Sequence, residues 1–205
     1  MRRTCWIGSR AARRRTVAGG KGAGLAKLRA LGCRVPDGFV ITTAAFREFS
    51  AAAGLDGDLL QHAASSEALP RMRARVTAQS FPPRLAAAIS ASVRRLGGTF
   101  AVRSSLIDED GAGRSFAGQL ESVLAVEGED ACLAAVKRVY ASLFAAPVAS
   151  YLAGRKAVAP LVPTRLDLAV VVQRMVPARA SGVAFSADPV TGERQVVVEA
   201  VVGLG

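Results

Sequence analysis

The chain has 205 residues, 51% of them hydrophobic, and 27 Lys and Arg against 16 Asp and Glu give it a formal net charge of +11. That is enough apolar content to bury a core as one domain or two small lobes, and no apolar run approaches the roughly 18 residues of a membrane-spanning helix, so the chain reads as soluble. Basic residues run from Arg2 to Arg194 with no stripe interleaved with aromatics, which favours a chain-wide bias over a nucleic-acid footprint. Cys5, Cys33 and Cys132 are odd in number and far apart, without a CxxC pair or a nearby histidine. They suggest neither a disulfide framework nor a zinc site, and fit a reduced cytoplasm.

The opening MRRTCWIGSRAARRR is basic and free of acids but lacks the apolar stretch of a secretory signal. Thr4 to Ile7 are predicted to form a short strand, followed by a solvated basic loop to residue 18. Gly19-Gly20-Lys21-Gly22 is predicted to open a helix to about Leu31, with Leu25, Leu28 and Leu31 at helical spacing and Gly32 as its stop. A glycine-rich turn at a helix N-terminus favours anions, and Lys21 adds a point charge. The GxxxxGK[ST] pattern of a P-loop is absent. Val35 to Gly38 form a turn, Phe39 to Ile41 a buried strand, and Ala44 to Ala53 a helix capped by Thr42 or Thr43 and ended by Gly54. From Leu55 to Leu96 the apolar spacing is helical, with Pro82-Pro83 starting the last helix. The only histidine, His62, falls at a surface position within this stretch.

A strand from Thr99 to Val102 is predicted to deliver Arg103 into a pair of serines. A polar loop from Asp108 to Arg114, a hinge at Gly118 and a strand from Leu120 to Val126 follow. This is how a chain builds a flap over an anion, although Arg103 could equally pair with Asp108 or Glu109 in an exposed turn. A helix is expected from Asp130 to Phe144, restarting at Pro147, and then a loop from Ala157 to Pro163. Leu166 to Val176 is apolar on both faces, hence a central strand running out toward Pro177. Ser181 to Ser186 and Gln195 to Val202 form a hairpin-like unit through Asp188-Pro189 and Thr191-Gly192. The final Gly203-Leu204-Gly205 has no terminal helix or polar tail and reads as a cut in a longer protein.

Four ordered segments carry a family resemblance: GGKGAGLAKL at 19–28, VPDGFVITTAAFREF at 35–49, AVRSS with SFAGQLES at 101–122, and VVVQRMV with SGVAFSADPVTG at 170–192. From about Gly19 to Gly205 the chain resembles the ATP-binding domain of the phosphoenolpyruvate-utilising enzymes, which include pyruvate phosphate dikinase, phosphoenolpyruvate synthase and rifampicin phosphotransferase. The resemblance implies an α+β, ATP-grasp-like fold with a mostly helical N-terminal lobe around a small mixed sheet. Residues 1–18 would be a basic strand and loop, 19–156 the first lobe, and 157–205 the start of a β-rich second lobe. It implies catalytic roles for Lys21 and Arg103 on the ATP phosphates. Gly118 and Ser122 would help position the nucleotide, and Gln173, Met175 and Val176 would meet the adenine at an inter-lobe hinge. Ser122 stands where the family often has threonine, so the hydroxyl is kept.

The implied reaction moves a phosphoryl group from ATP to a histidine on a separate domain, then to pyruvate or another acceptor. His62 does not match that histidine's motif. Magnesium would accompany ATP, with its carboxylate ligands expected beyond Gly205, so this chain alone is expected to be inactive. The expected partners are ATP, the phosphohistidine domain and an acceptor-binding domain, with no nucleic acid and no membrane. The competing readings are a non-catalytic ATP-binding or regulatory module, and a basic nucleic-acid-binding protein.

Overall fold

The computed structural model describes residues 2–55, 68–107, 120–144 and 167–204. The elements are β1 (Thr4–Trp6), a 3-10 turn (Ala11–Arg13), α1 (Arg15–Ala30), β2 (Gly38–Ile41), α2 (Thr43–Ala52), α3 (Ala68–Ala78) and α4 (Pro83–Leu96). After these come β3 (Phe100–Leu106), β4 (Ser122–Val126), α5 (Glu129–Ser142), β5 (Leu168–Arg174), β6 (Ala180–Phe185) and β7 (Val197–Val202). The class is α+β, as expected. The chain divides into two compact units, Met1–Met175 and Val176–Gly205. The expected lobe boundary near Ala157, the Gly118 hinge, the acidic part of the flap and His62 all lie outside the described residues.

In the first unit, five strands form a sheet in the order β1-β2-β5-β3-β4. Every described pairing is antiparallel, where a mixed sheet was expected. Alternation along the strands sends Phe39, Ile41, Val170, Val172, Phe100 and Val102 into a large core shared with α2 to α5. Cys5, Val40, Ala169 and Val171 point the other way, into a smaller core under α1. This explains why β5 is apolar at successive positions: it is the central strand, and helices cover both of its faces. In the larger core Tyr140 packs edge-on to Phe46 with ring centroids 4.9 Å apart, and Phe49 lies 5.2 Å from the same ring.

Several boundaries differ from those predicted. The basic loop before Gly19 is partly helical, because α1 begins at Arg15 and bends at Gly19, where φ is 69°. Of the three leucines expected on the buried side of α1, only Leu25 packs, half-buried, against the smaller core; Leu28 is 47% exposed and Leu31, just past the helix, 80%. Its buried stripe is instead Ala18, Gly19, Gly20, Gly22, Ala23 and Ala26. Small residues let this helix lie close to the sheet, since a β-carbon on Gly22 would sit 3.3 Å from Val40 and 3.5 Å from Val171. At its other end, Gly32 N–H donates to the Arg29 carbonyl and Cys33 N–H to that of Leu28, a Schellman closure around a left-handed glycine. β3 also extends through the two serines to Leu106, so Arg103 stands in mid-strand and not at a strand end.

In the second unit β6 and β7 pair antiparallel from Ala180↔Val202 to Phe185↔Val197. Their connection is fixed by Asp188, whose carboxylate accepts from the Val190 and Thr191 N–H groups and from the Gln195 amide. These donors, the Thr191 N–H foremost, hold its pKa below the usual carboxylate range.

Candidate functional site

The glycine-rich segment is built onto β3 by one hydroxyl. Ser105 Oγ, completely buried, accepts from Gly22 N–H at 3.0 Å and donates to the Ala18 carbonyl at 2.8 Å. Ala18 and Gly22 are the i and i+4 pair that would bond directly in an uninterrupted helix. The Ser105 hydroxyl therefore bridges the ladder at the bend, one of the recognised causes of a helix kink. Gly19 supplies the rest of the bend. A β-carbon there would lie 2.0 Å from the Ser105 carbonyl oxygen, so only glycine fits. The glycines expected to cradle an anion by their N–H groups are, at Gly19, Gly20 and Gly22, buried toward the sheet, and the Gly22 N–H is already taken by Ser105.

Lys21 is the half-exposed member of the turn. Its ammonium donates to the Ser104 carbonyl at 2.8 Å, which sets it over β3. Arg103 stands on the same strand, opposite Val171 of β5 and opposite Ser122 of β4. Register places Arg103, Ser105, Ser122, Val171 and Gln173 on one face of the sheet, the face that α1 crosses through Val40 and Val171. Lys21, Arg103, Ser122 and Gln173 thus share one face, although they are up to 152 positions apart in the chain (173 − 21). Arg103 is half-exposed and Ser122 exposed at the sheet edge. The start of β4 is tied down by an ion pair between Glu121 and Arg138, and by Glu121 N–H on the Ser142 hydroxyl at 3.3 Å.

At the far end of β5, Gln173 is 8% exposed and its amide nitrogen donates to the Pro36 carbonyl at 3.2 Å. Arg174 N–H donates to the Asp37 carbonyl and Met175 N–H to the Thr99 carbonyl, at 2.8 and 2.9 Å. Two of the backbone donors expected to face a base are therefore already engaged by the chain itself. Met175 is half-buried and closes the first unit, while Val176 is 53% exposed and opens the second.

The sequence reading missed Ser105 and the bend at Gly19 as positioning elements. The available signal was a serine at a strand position whose alternate neighbours are buried, paired with a double glycine followed by lysine. Among the described residues no three His, Cys, Asp or Glu side chains gather as metal ligands, and no helix is long and apolar enough to cross a membrane.

Residues 15–205 match the family model described as pyruvate phosphate dikinase, AMP/ATP-binding domain. The chain is 43% identical to a rifampicin phosphotransferase of a Streptomyces species over 91% of its own length and 23% of that protein's. It is 39% identical to the phosphoenolpyruvate synthase of Aeropyrum pernix over 92% of its length and 25% of that protein's. With the prodigiosin synthesizing transferase PigC of Serratia marcescens it shares 38% identity, over 91% of this chain and 20% of the other. The chain thus spans about a quarter or less of the length of these relatives.

Proposed function

The chain belongs to the AMP/ATP-binding domain family of pyruvate phosphate dikinase, and from that premise we propose that the face carrying Lys21 and Arg103 holds the nucleotide phosphates. The observation that carries this reading is the seating of α1 on Ser104 and Ser105, which brings an ammonium and a guanidinium to one side of β3. In this reading Arg103 offers a planar fork matched to phosphate oxygens, and Lys21 a compact charge that leaves the Ser104 carbonyl for the ligand. The Ser122 hydroxyl is proposed to flank the phosphates; Gly118, given the same role by the family resemblance, lies outside the described residues. Gln173 and Met175 are proposed to meet the base, the thioether packing on the ring, and the family resemblance extends this role to Val176.

Phosphoryl transfer asks the protein mainly for positioning and charge stabilisation. We assign this chain the binding half of such a transfer, with the phosphoryl group passing to a histidine on a separate domain and on to pyruvate or another acceptor. Magnesium accompanies the nucleotide in this reading. Among the described residues no three His, Cys, Asp or Glu side chains gather to hold it.

The test is nucleotide binding by calorimetry and thermal melting. At a hundredfold excess over Kd, ATP should stabilise the native state by about 2.7 kcal/mol. Arg103→Gln and Lys21→Gln should each remove most of that gain, while Arg10→Gln and Arg13→Gln leave it intact. A melt indifferent to millimolar ATP, together with salt-sensitive binding to a random DNA duplex that tracks the N-terminal arginines, would replace this reading with nucleic-acid binding.

A further inference from the structure

A polar cavity of about 270 Å³ opens at the end of the sheet where β1 and β5 finish and β2 begins, and its lining includes Trp6, Arg29, Asp37, Arg95, Leu96 and Arg174. It is distinct from the Lys21 face. Arg174 pairs with Phe100 at the start of β3, whereas Lys21 contacts Ser104. Four residues of strand separate the two points, about 13 Å at 3.3 Å per residue.

Three guanidinium groups converge on this cleft against one carboxylate, and each is held in advance. The Arg95 guanidinium carbon lies 4.4 Å above the centre of the Trp6 ring. Arg174 donates to the Leu96 carbonyl at the C-terminal end of α4. Arg29 donates to Asp37 Oδ1 at 2.7 Å, and with side chains 40% and 59% exposed this pair is solvent-screened and exchangeable. The ring face and the single carbonyl leave most of the five N–H donors of Arg95 and Arg174 uncommitted. Unscreened like charges repel, so an arrangement of this kind gains most from a ligand that accepts from several guanidiniums at once. Because two arms are already fixed by other contacts, little conformational freedom is lost on binding. The volume is on the scale of a small-molecule site.

We propose that this cleft binds a small multivalent oxyanion, one presenting carboxylate or phosphate oxygens to Arg95 and Arg174 with Arg29 swinging from Asp37 to join them. The proposal stands independently of the nucleotide reading.

Trp6 is the only tryptophan in the chain, and it lies in the cleft beneath Arg95, so its fluorescence reports the site directly. At fixed ionic strength, titration with pyrophosphate and with citrate should give a saturable change, and the tighter of the two identifies the oxygen chemistry preferred. Arg174→Gln and Arg29→Gln should each weaken binding roughly tenfold, the scale of one charge-assisted hydrogen bond. Calorimetry on the same variants supplies a readout independent of tryptophan, and thermal melts confirm that they fold. Lys21→Gln and Arg103→Gln should leave the titration unchanged. The proposal is overturned by the absence of a saturable response at millimolar anion, or by a response that survives Arg174→Gln and Arg29→Gln together. It is also overturned by a response that disappears with Lys21→Gln, which would put the anion on the other face.

Discussion

Gly19 presses on Ser105 so closely that a β-carbon would lie 2.0 Å from the serine's carbonyl oxygen and 2.4 Å from its hydroxyl. Its φ of 69° is in the left-handed region as well. Both conditions exclude alanine. Gly19→Ala should destabilise by about 2–5 kcal/mol, combining about 1–2 kcal/mol for the backbone conformation with about 1–3 kcal/mol for overpacking. The midpoint of denaturant unfolding reads this directly. Gly24, on the same helix with open space where a β-carbon would stand, is the control. Gly24→Ala should be neutral or stabilising by up to about 1 kcal/mol, and equal behaviour of the two variants would mean that the bend is not fixed by Ser105.

Ser105→Ala deletes the bridge between Ala18 and Gly22 without adding bulk. The Gly22 N–H, buried against the sheet, would then have lost its hydroxyl acceptor, a cost of about 1–3 kcal/mol. If the bridge also sets Lys21 over β3, nucleotide affinity should fall along with stability, although Ser105 is itself fully buried. Ser105→Thr keeps the hydroxyl and tests the role of volume at a fully buried position. A Ser105→Ala protein with unchanged melting and unchanged ATP affinity would remove the bridge from the argument.

Much of the sheet was legible from short apolar runs. Phe39 to Ile41, Leu168 to Arg174 and the β6–β7 pair lie within or beside the predicted strands, because short apolar runs bounded by turn residues mark strands, those of β2 and β5 being buried at successive positions. Helix α1 was less legible. Periodicity nominated its leucines, whereas the buried face is glycine and alanine, and residues without apolar side chains leave no hydrophobic signal to count. The extension of β3 through Ser104 and Ser105 was hidden for a related reason. Two serines look like a turn until the hydroxyl finds its partners on α1, a contact across 83 positions of sequence. Lys21 and Arg103 could be singled out from the sequence, but the shared face that relates them is a property of strand order and register.

Among the described residues the fully buried hydroxyl of Tyr140 has no hydrogen-bond partner, and neither does that of Ser50 on α2. A polar group taken from water without a partner is a net cost. Tyr140→Phe keeps the ring that meets Phe46 and Phe49 and removes that cost. It should therefore be neutral or stabilising by about 1 kcal/mol, whereas Tyr140→Ala should lose about 3–5 kcal/mol through the cavity it leaves. A Tyr140→Phe variant destabilised by more than the error of a denaturation curve would show that the hydroxyl has a partner after all, such as a trapped water.

The same core predicts how stability responds to alkali. Burial pushes the Cys132 thiol up to about 12 and raises the Tyr140 phenol above its usual range, because the charged forms would be stranded in apolar surroundings. In the unfolded chain these groups would ionise near about 8.5 and 10. The unfolded state therefore releases protons that the native state still holds, and stability falls as pH rises. The contribution of neutral Cys132 is fully present below about pH 8.5 and is lost progressively as pH climbs toward the native value. For each such group the limiting slope is about 1.4 kcal/mol per pH unit. Urea midpoints measured from neutral to strongly alkaline pH should decline from the lower of these onsets, and Cys132→Ala should flatten the first part of the decline. Tyr140→Phe should flatten the part above about pH 10. Thiol labelling gives an independent check at neutral pH: exposed Cys33 should react first, and Cys5 and Cys132 only at the rate of unfolding. Rapid modification of Cys132 in the native protein, or an alkaline limb unmoved by both substitutions, would contradict the burial from which the prediction starts.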